Sequence, residues 1–200
     1  MPGRLFLSHS VEDVGLAMSS SDVPHLVTGQ NLSPGMTLGG LTTDGWVLMR
    51  WGLMPSGRTN ARGRPVMENL VNIRSETAFT KSAFDGLQRA LVPASGWYEW
   101  TGQTRRKSVW QIARRDGEPV VFAALTHTWN GPGGVQVPQV AILTCDPSPD
   151  VAVYHNRMGV ALGLEAQAGW LAGADPASGL RVPKAGQFKV TRCVYPGSAR

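Results

Sequence analysis

Glu99 stands inside the run Leu-Val-Pro-Ala-Ser-Gly-Trp-Tyr-Glu-Trp, residues 91 to 100, as one carboxylate among large apolar side chains. Desolvation in such surroundings raises a carboxyl pKa and suits the group to proton transfer, and groups perturbed in this way gather at functional sites. An outward-facing glutamate on an edge strand accounts for the same pattern, so this run alone leaves both readings open. His155, in His-Asn-Arg-Met at 155–158, carries an imidazole whose ordinary pKa of about 6.5 suits proton exchange near neutrality. A histidine after Val-Tyr is more often structural than catalytic. Asn72 and Arg74, in Asn-Ile-Arg-Ser-Glu-Thr at 72–77, bring an amide and a guanidinium into one short polar segment. Their structural alternatives are a turn cap for Asn72 and an ion pair with Glu76 for Arg74. His9, His25 and His127 share no ligand spacing with one another or with carboxylates, so neither a metal nor another cofactor is expected.

Several elements must hold these groups. The apolar start Leu5 to Leu7 leads to Ser10-Val11-Glu12-Asp13, a capping signal, after which Val11, Val14 and Met18 recur at helical spacing and predict a first helix. Extended segments follow near Met36 to Leu41 and Trp46 to Trp51, the second rich in aromatic and branched residues. Residues 54–68 carry Gly, Pro and Arg without periodicity and read as a long loop of the kind that is often functional. Ser75 to Leu87 suggests a short helix. Strand-like runs come next at Ala90 to Pro93, Gly96 to Trp100, Val109 to Arg114, Val120 to Thr128 and Val137 to Thr144. Asp116-Gly117 marks a hairpin, and Gly131 to Gly134 a flexible connection. Leu164 to Leu171 reads as a late helix and Phe188 to Val194 as a final strand. Mostly antiparallel strands with a few helices define an α+β fold.

Two hundred residues suit a single domain over 1–200, with no linker or repeat to divide it. Cys145 and Cys193 form neither a disulfide framework nor a C-x-x-C pair, which fits a reducing cytoplasm. No apolar run approaches the roughly 20 residues that span a bilayer, and the N-terminus lacks a signal peptide's apolar stretch, so no membrane partner is expected. Nineteen basic against fourteen acidic side chains leave a formal charge of +5. Arg58, Arg62 and Arg64 share one Gly-rich segment, and Arg105, Arg106 and Lys107 another. Such clusters are natural phosphate contacts with salt-dependent affinity for nucleic acid, although a short charge run is more commonly a solvated turn.

Met1-Pro2-Gly3-Arg4, Asn31-Leu32-Ser33-Pro34-Gly35, Trp51-Gly52-Leu53, the Asn72 and Glu99 segments, Ala141-Ile142-Leu143-Thr144 and His155-Asn156-Arg157-Met158 occur in this order. Together they resemble the SRAP family, the SOS response-associated peptidase domains that recognise abasic sites in single-stranded DNA. The resemblance covers nearly the whole chain. It implies a curved, barrel-like antiparallel β-sheet with peripheral helices, and a positively charged groove leading to a pocket at the N-terminus. It also implies a DNA-associated monomer whose partner is single-stranded or junction DNA with abasic or modified sites. In the family, an N-terminal amine attacks the aldehyde of the ring-opened sugar to form a Schiff base, and a neighbouring cysteine thiol closes a thiazolidine. Carried over by motif, Asn72 positions the N-terminal residue, while Glu99 and His155 move protons. Arg4, Arg74 and Arg157, with Trp51 and Thr144, are implied at the DNA.

Here Pro2 stands where the family has its cysteine. If Met1 is removed, Pro2 presents a secondary amine that forms an iminium but has no thiol to trap it. β-Elimination of the 3′ phosphate by a base such as Glu99 or His155 then follows, which points to an abasic-site lyase or a transient crosslinker. A degenerate or cysteine-substituted domain that binds DNA, ordinary or modified, without a covalent bond fits equally well. A thiol peptidase does not fit a proline at that position. Two further departures concern substrate geometry: Ser56-Gly57-Arg58 follow Trp51-Gly52-Leu53-Met54-Pro55 where relatives carry aromatics that wedge against bases, and Gly159 replaces a proline after Arg-Met. Trp46, Trp51, Trp97 and Trp100 are the candidates to supply the missing stacking, worth roughly 1 to 3 kcal/mol per base.

Overall fold

Strands rich in branched and aromatic residues pair into two sheets in the computed structural model, which describes residues 2–54, 62, 69–103, 106–175, 180 and 182–196. In chain order the strands are β1 (Leu5–Leu7), β2 (Gly29–Leu32), β3 (Thr37–Thr42), β4 (Gly45–Trp51), β5 (Asn72–Arg74) and β6 (Gln88–Ala94). They continue as β7 (Gly96–Thr101), β8 (Ser108–Arg114), β9 (Val120–Asn130), β10 (Gln136–Cys145), β11 (Met158–Gly159) and β12 (Phe188–Cys193). The helices are α1 (Val11–Met18), α2 (Pro149–Ala152) and α3 (Leu164–Leu171). One sheet runs β10-β4-β3-β6-β9 and closes on itself through a β9–β10 ladder, so five strands form a barrel. The other runs β12-β8-β7-β1-β2.

The barrel-like expectation holds, with one correction to its strand sense. β10 pairs in parallel with β4 and with the short β5, and antiparallel with β9 and β11. Every residue from Gln139 to Cys145 is buried, which explains its nearly unbroken apolar run: a strand covered on both faces loses the alternation that marks a half-exposed one. The predicted helix at 75–87 is replaced by two single 3₁₀ turns, Ser75–Thr77 and Ser82–Phe84. Hydroxyl side chains compete there for backbone groups, and no apolar stripe repeats at helical spacing to pay for a longer helix. α1 keeps its predicted span, with a reciprocal capping box between Ser10 and Asp13. α3 also spans the predicted residues. β2, β5, β11 and α2 were not anticipated; each is four residues or fewer, too short to show a period. Of the segment 54–68, only Met54 and Arg62 lie among the described residues, so the loop expected there falls outside them, as do Arg58, Arg64 and Arg105.

The barrel and the second sheet meet at a corner between β6 and β7, where only Ser95 separates two strands. The Ser95 hydroxyl oxygen accepts the backbone N–H groups of Ser8 (2.8 Å) and His9 (3.2 Å), satisfying donors that the corner leaves unpaired. Gly96 follows because a Cβ there would lie 2.1 Å from the Ile112 carbonyl oxygen. Between the sheets, the buried Trp97 ring meets Phe122 of β9 edge-on at 5.7 Å and Phe188 of β12 at 5.4 Å.

Candidate functional site

β7 presents its residues alternately to two faces. Trp97 packs inward between the sheets, whereas Tyr98 and Trp100 lie on the outer face with Phe6 and Tyr195. Glu99 therefore points to the same side as Trp97, and it is 4% exposed. Burial holds its carboxyl above the ordinary carboxylate range, because the charged form loses hydration there. The edge-strand alternative is thereby corrected: β7 lies between β8 and β1, and its glutamate faces inward.

The chain ahead of β1 runs beside the same strand, with the Tyr98 N–H donating to the Arg4 carbonyl at 3.0 Å. Pro2 is buried. Asn72, on β5 opposite Ile142 of β10, donates its side-chain Nδ2 to the Pro2 carbonyl at 2.8 Å. The other amide atom, Oδ1, is buried and accepts no hydrogen bond among the described residues.

His155 comes from the turn that ends α2, where the N–H groups of Tyr154 and His155 both donate to the Val151 carbonyl, at 2.9 and 3.1 Å. The Arg157 N–H donates to His155 Nδ1 at 2.9 Å. The Arg157 carbonyl oxygen lies 3.1 Å from the same nitrogen; the first contact needs a bare Nδ1 and the second a protonated one, so the Arg157 backbone accommodates either tautomer. His155 Nε2 lies 4.0 Å from Glu99 Oε2. Burial lowers the His155 pKa, again favouring the neutral form. Both groups are thus disposed to the neutral form beside one another.

Three expected DNA contacts need correction. Trp51 is fully buried and donates its indole N–H to the Val71 carbonyl at 3.1 Å, so neither ring face is open to a base. Thr144 is also fully buried, with its hydroxyl directed to the Ile73 carbonyl at 3.3 Å. Arg157 bridges β10 and the turn after β5: its guanidinium pairs with both oxygens of Glu76, donates to Asp146 at 2.9 Å and to the Thr144 carbonyl at 2.6 Å. These acids claim the charge, and the side chain is 12% exposed. Asp146 was not singled out in the sequence, and Glu76 was offered only as a partner for Arg74, since no spacing links either acid to residue 157.

Arg74 is exposed and makes no side-chain hydrogen bond among the described residues, so its suggested pairing with Glu76 is not formed. Arg4 lies on the outer face of the second sheet, donating from Nε to the Tyr195 hydroxyl at 3.0 Å and from Nη1 to the Gly3 carbonyl at 2.7 Å. Trp97 is sealed in the core, and the half-buried Trp46 donates its indole N–H to Ser20 at 2.9 Å. Among the described residues, no group of three or more His, Cys, Asp or Glu is arranged to hold a metal, and no helix is long and apolar enough to cross a membrane. Cys145 is buried and its thiol is pushed up to about 11, which makes it a poor nucleophile.

A family model described as SOS response associated peptidase (SRAP) matches residues 1–192. The chain is 30% identical over 127 residues to the abasic site processing protein YoqW of Bacillus subtilis, an alignment covering 62% of this chain and 55% of that one. It is 32% identical over 105 residues to YedK of Escherichia coli, covering 51% and 47%. Over 147 residues it is 30% identical to HMCES of Gallus gallus, covering 62% and 44%. The chain thus spans about half the length of the curated relatives it matches. Among solved structures, a Bordetella bronchiseptica protein superposes with a TM-score of 0.80 at 21% identity, covering 96% of this chain and 99% of that one. A Bacteroides thetaiotaomicron protein gives 0.79 at 20%, covering 94% and 90%, and both likenesses concern the fold alone. With a family match running through the N-terminal segment, the barrel, the strand of Glu99 and the turn of His155 alike, this chain belongs to the SRAP family.

Proposed function

We propose that this chain is a single-domain, monomeric protein of the cytoplasm that binds single-stranded or junction DNA at an abasic site, and that the Pro2 nitrogen forms an iminium with the sugar aldehyde. The observation that carries the reading is the 2.8 Å hydrogen bond from Asn72 to the Pro2 carbonyl. It ties the segment bearing that nitrogen to β5, in a fold where buried Glu99 and His155 stand 4.0 Å apart. The names of YoqW, YedK and HMCES as abasic site processing proteins support the choice of lesion.

The chemistry requires removal of Met1, which frees Pro2 as a secondary amine. The neutral amine adds to the aldehyde carbon, and its proton passes to the oxygen to leave a carbinolamine. Glu99, which burial disposes to hold a proton, protonates the hydroxyl; water departs and the iminium forms. The ionised Glu99 then takes a proton from the adjacent sugar carbon. The released electron pair drives β-elimination, breaking the bond from carbon to the 3′ phosphate oxygen. In the tautomer that carries its hydrogen on Nε2, His155 is suited to donate to the sugar or departing oxygen. Water hydrolyses the conjugated iminium and returns the amine. Non-covalent binding is the second reading, favoured by the burial of Pro2.

The test is incubation of the protein with single-stranded DNA carrying one abasic site, with and without borohydride, alongside intact protein mass. The expected result is a borohydride-dependent crosslink together with strand cleavage, from protein lacking Met1. An uncut strand with no crosslink, from protein equally processed, would eliminate the lyase and leave non-covalent binding.

A further inference from the structure

We infer that the Trp110–Tyr154 ring pair is a stacking platform for one nucleobase next to the bound sugar, so that the site takes a lesion together with a neighbouring base. This rests on the reading of the site as a DNA pocket.

Trp110 of β8 lies directly opposite Glu99 in the β7–β8 ladder. Directly opposed residues share a sheet face with their Cβ atoms about 5 Å apart, so the indole rises beside the carboxylate. Tyr154 immediately precedes His155, and its ring centroid lies 4.7 Å from that of Trp110 at an interplanar angle of 55°. Each ring is therefore one step, across a ladder or along the chain, from a side chain that handles protons. Both remain half-exposed, in contrast to the sealed Trp51 and Trp97. The Trp110 indole N–H donates to the Thr101 hydroxyl at 2.7 Å, which holds the ring in one orientation before any ligand arrives.

A cation completes the arrangement. Arg192 of β12 lies opposite Trp110 in the next ladder, is exposed, and its side chain makes no hydrogen bond or ion pair among the described residues. An oriented aromatic face beside an uncommitted guanidinium matches a nucleotide, whose base stacks while its phosphate pairs. An aliphatic or purely anionic ligand would use only half of it. Trp100 does not compete for this role, since it faces the opposite side of the sheet from Glu99.

The experiment is a set of binding titrations with single-stranded oligonucleotides that carry a reduced abasic site. In one both neighbouring bases are present, in the second the 5′ neighbour is removed, and in the third the 3′ neighbour. The proteins are wild type, Trp110→Leu and Trp110→Phe. Removing one particular neighbour is expected to weaken wild-type binding by about tenfold, the scale of one base–aromatic stack. Trp110→Leu should lose the same factor on the intact oligonucleotide and almost nothing further on the one lacking that base. Trp110→Phe, which keeps an aromatic face, should recover most of the loss. Equal losses on all three oligonucleotides, or loss of folding in the Leu variant with full affinity in a folded Trp110→Phe and no effect of either neighbour on wild type, would overturn the platform while leaving the DNA reading intact. Absence of wild-type binding to any of the three would overturn both.

Discussion

The same burial pushes Glu99 up and His155 down, so each is moved toward its neutral form by loss of hydration. For Glu99 the folded chain keeps its proton to higher pH than the unfolded chain does, which makes the fold strongest below the ordinary value of 4.5 and weaker as pH rises through the folded pKa. For His155 the folded pKa lies below the unfolded value of 6.5, so its contribution is present above that value and is lost as pH falls through the folded pKa. Glu99→Gln, neutral at every pH, is expected to raise the melting temperature at neutral and alkaline pH, with the difference closing toward about pH 4, while abolishing strand cleavage. Thermal denaturation across that range checks it, and a wild type that gains stability over Glu99→Gln as pH rises would contradict the assignment. Glu99 was legible from its neighbours in the sequence. The placement of His155 beside it was not, because the two are far apart in the chain and meet only in the folded protein.

Short elements do the positioning. β5 and β11, of three and two residues, carry Asn72 and begin just after Arg157, and both pair with β10. No three-residue strand has a period that could reveal it in the sequence. Gly159, read as a departure that alters substrate geometry, has a local packing reason: a Cβ there would lie 2.5 Å from the ring of Phe122, which is itself locked edge-on against Trp97. Gly159→Ala is expected to cost about 1 to 3 kcal/mol in denaturant unfolding, the usual penalty of overpacking a tight core. An unchanged midpoint would mean that the Phe122 ring can swing aside. The helix expected after β5 failed for the complementary reason, since hydroxyl-rich sequence with no apolar stripe lacks the packing that would sustain it.

At the scale of the molecule, a net charge of +5 favours nucleic acid but does not say which cations are available. Arg157 is already neutralised by Glu76 and Asp146, while Arg74 is exposed and uncommitted among the described residues. If both met phosphate, each substitution would reduce the salt dependence of single-strand binding equally. Arg74→Ala is instead expected to lower the slope of log affinity against log salt by about 0.7, the value for one phosphate on a single strand. Arg157→Ala should leave that slope unchanged and lower thermal stability, because it strands the His155 turn and the turn after β5. Titrations from low to physiological salt read both effects, and a slope change confined to Arg157→Ala would reverse the two roles.

The order of the motifs, from the N-terminal Pro2 segment through Asn72 and Glu99 to His155, determined the family and the barrel-like α+β fold, and the longer strands and helices followed from their apolar spacing. Those signals are local: period, capping and turn residues act within a few positions of the chain. The closure of the barrel through a parallel β4–β10 ladder, the burial of Trp51 and Thr144, the capture of Arg157 by two acids and the meeting of Trp110 with Tyr154 were decided only by the tertiary structure. Each joins residues far apart in the chain or depends on which face of a strand is covered, and neither partner choice nor two-sided burial leaves a mark in nearby sequence.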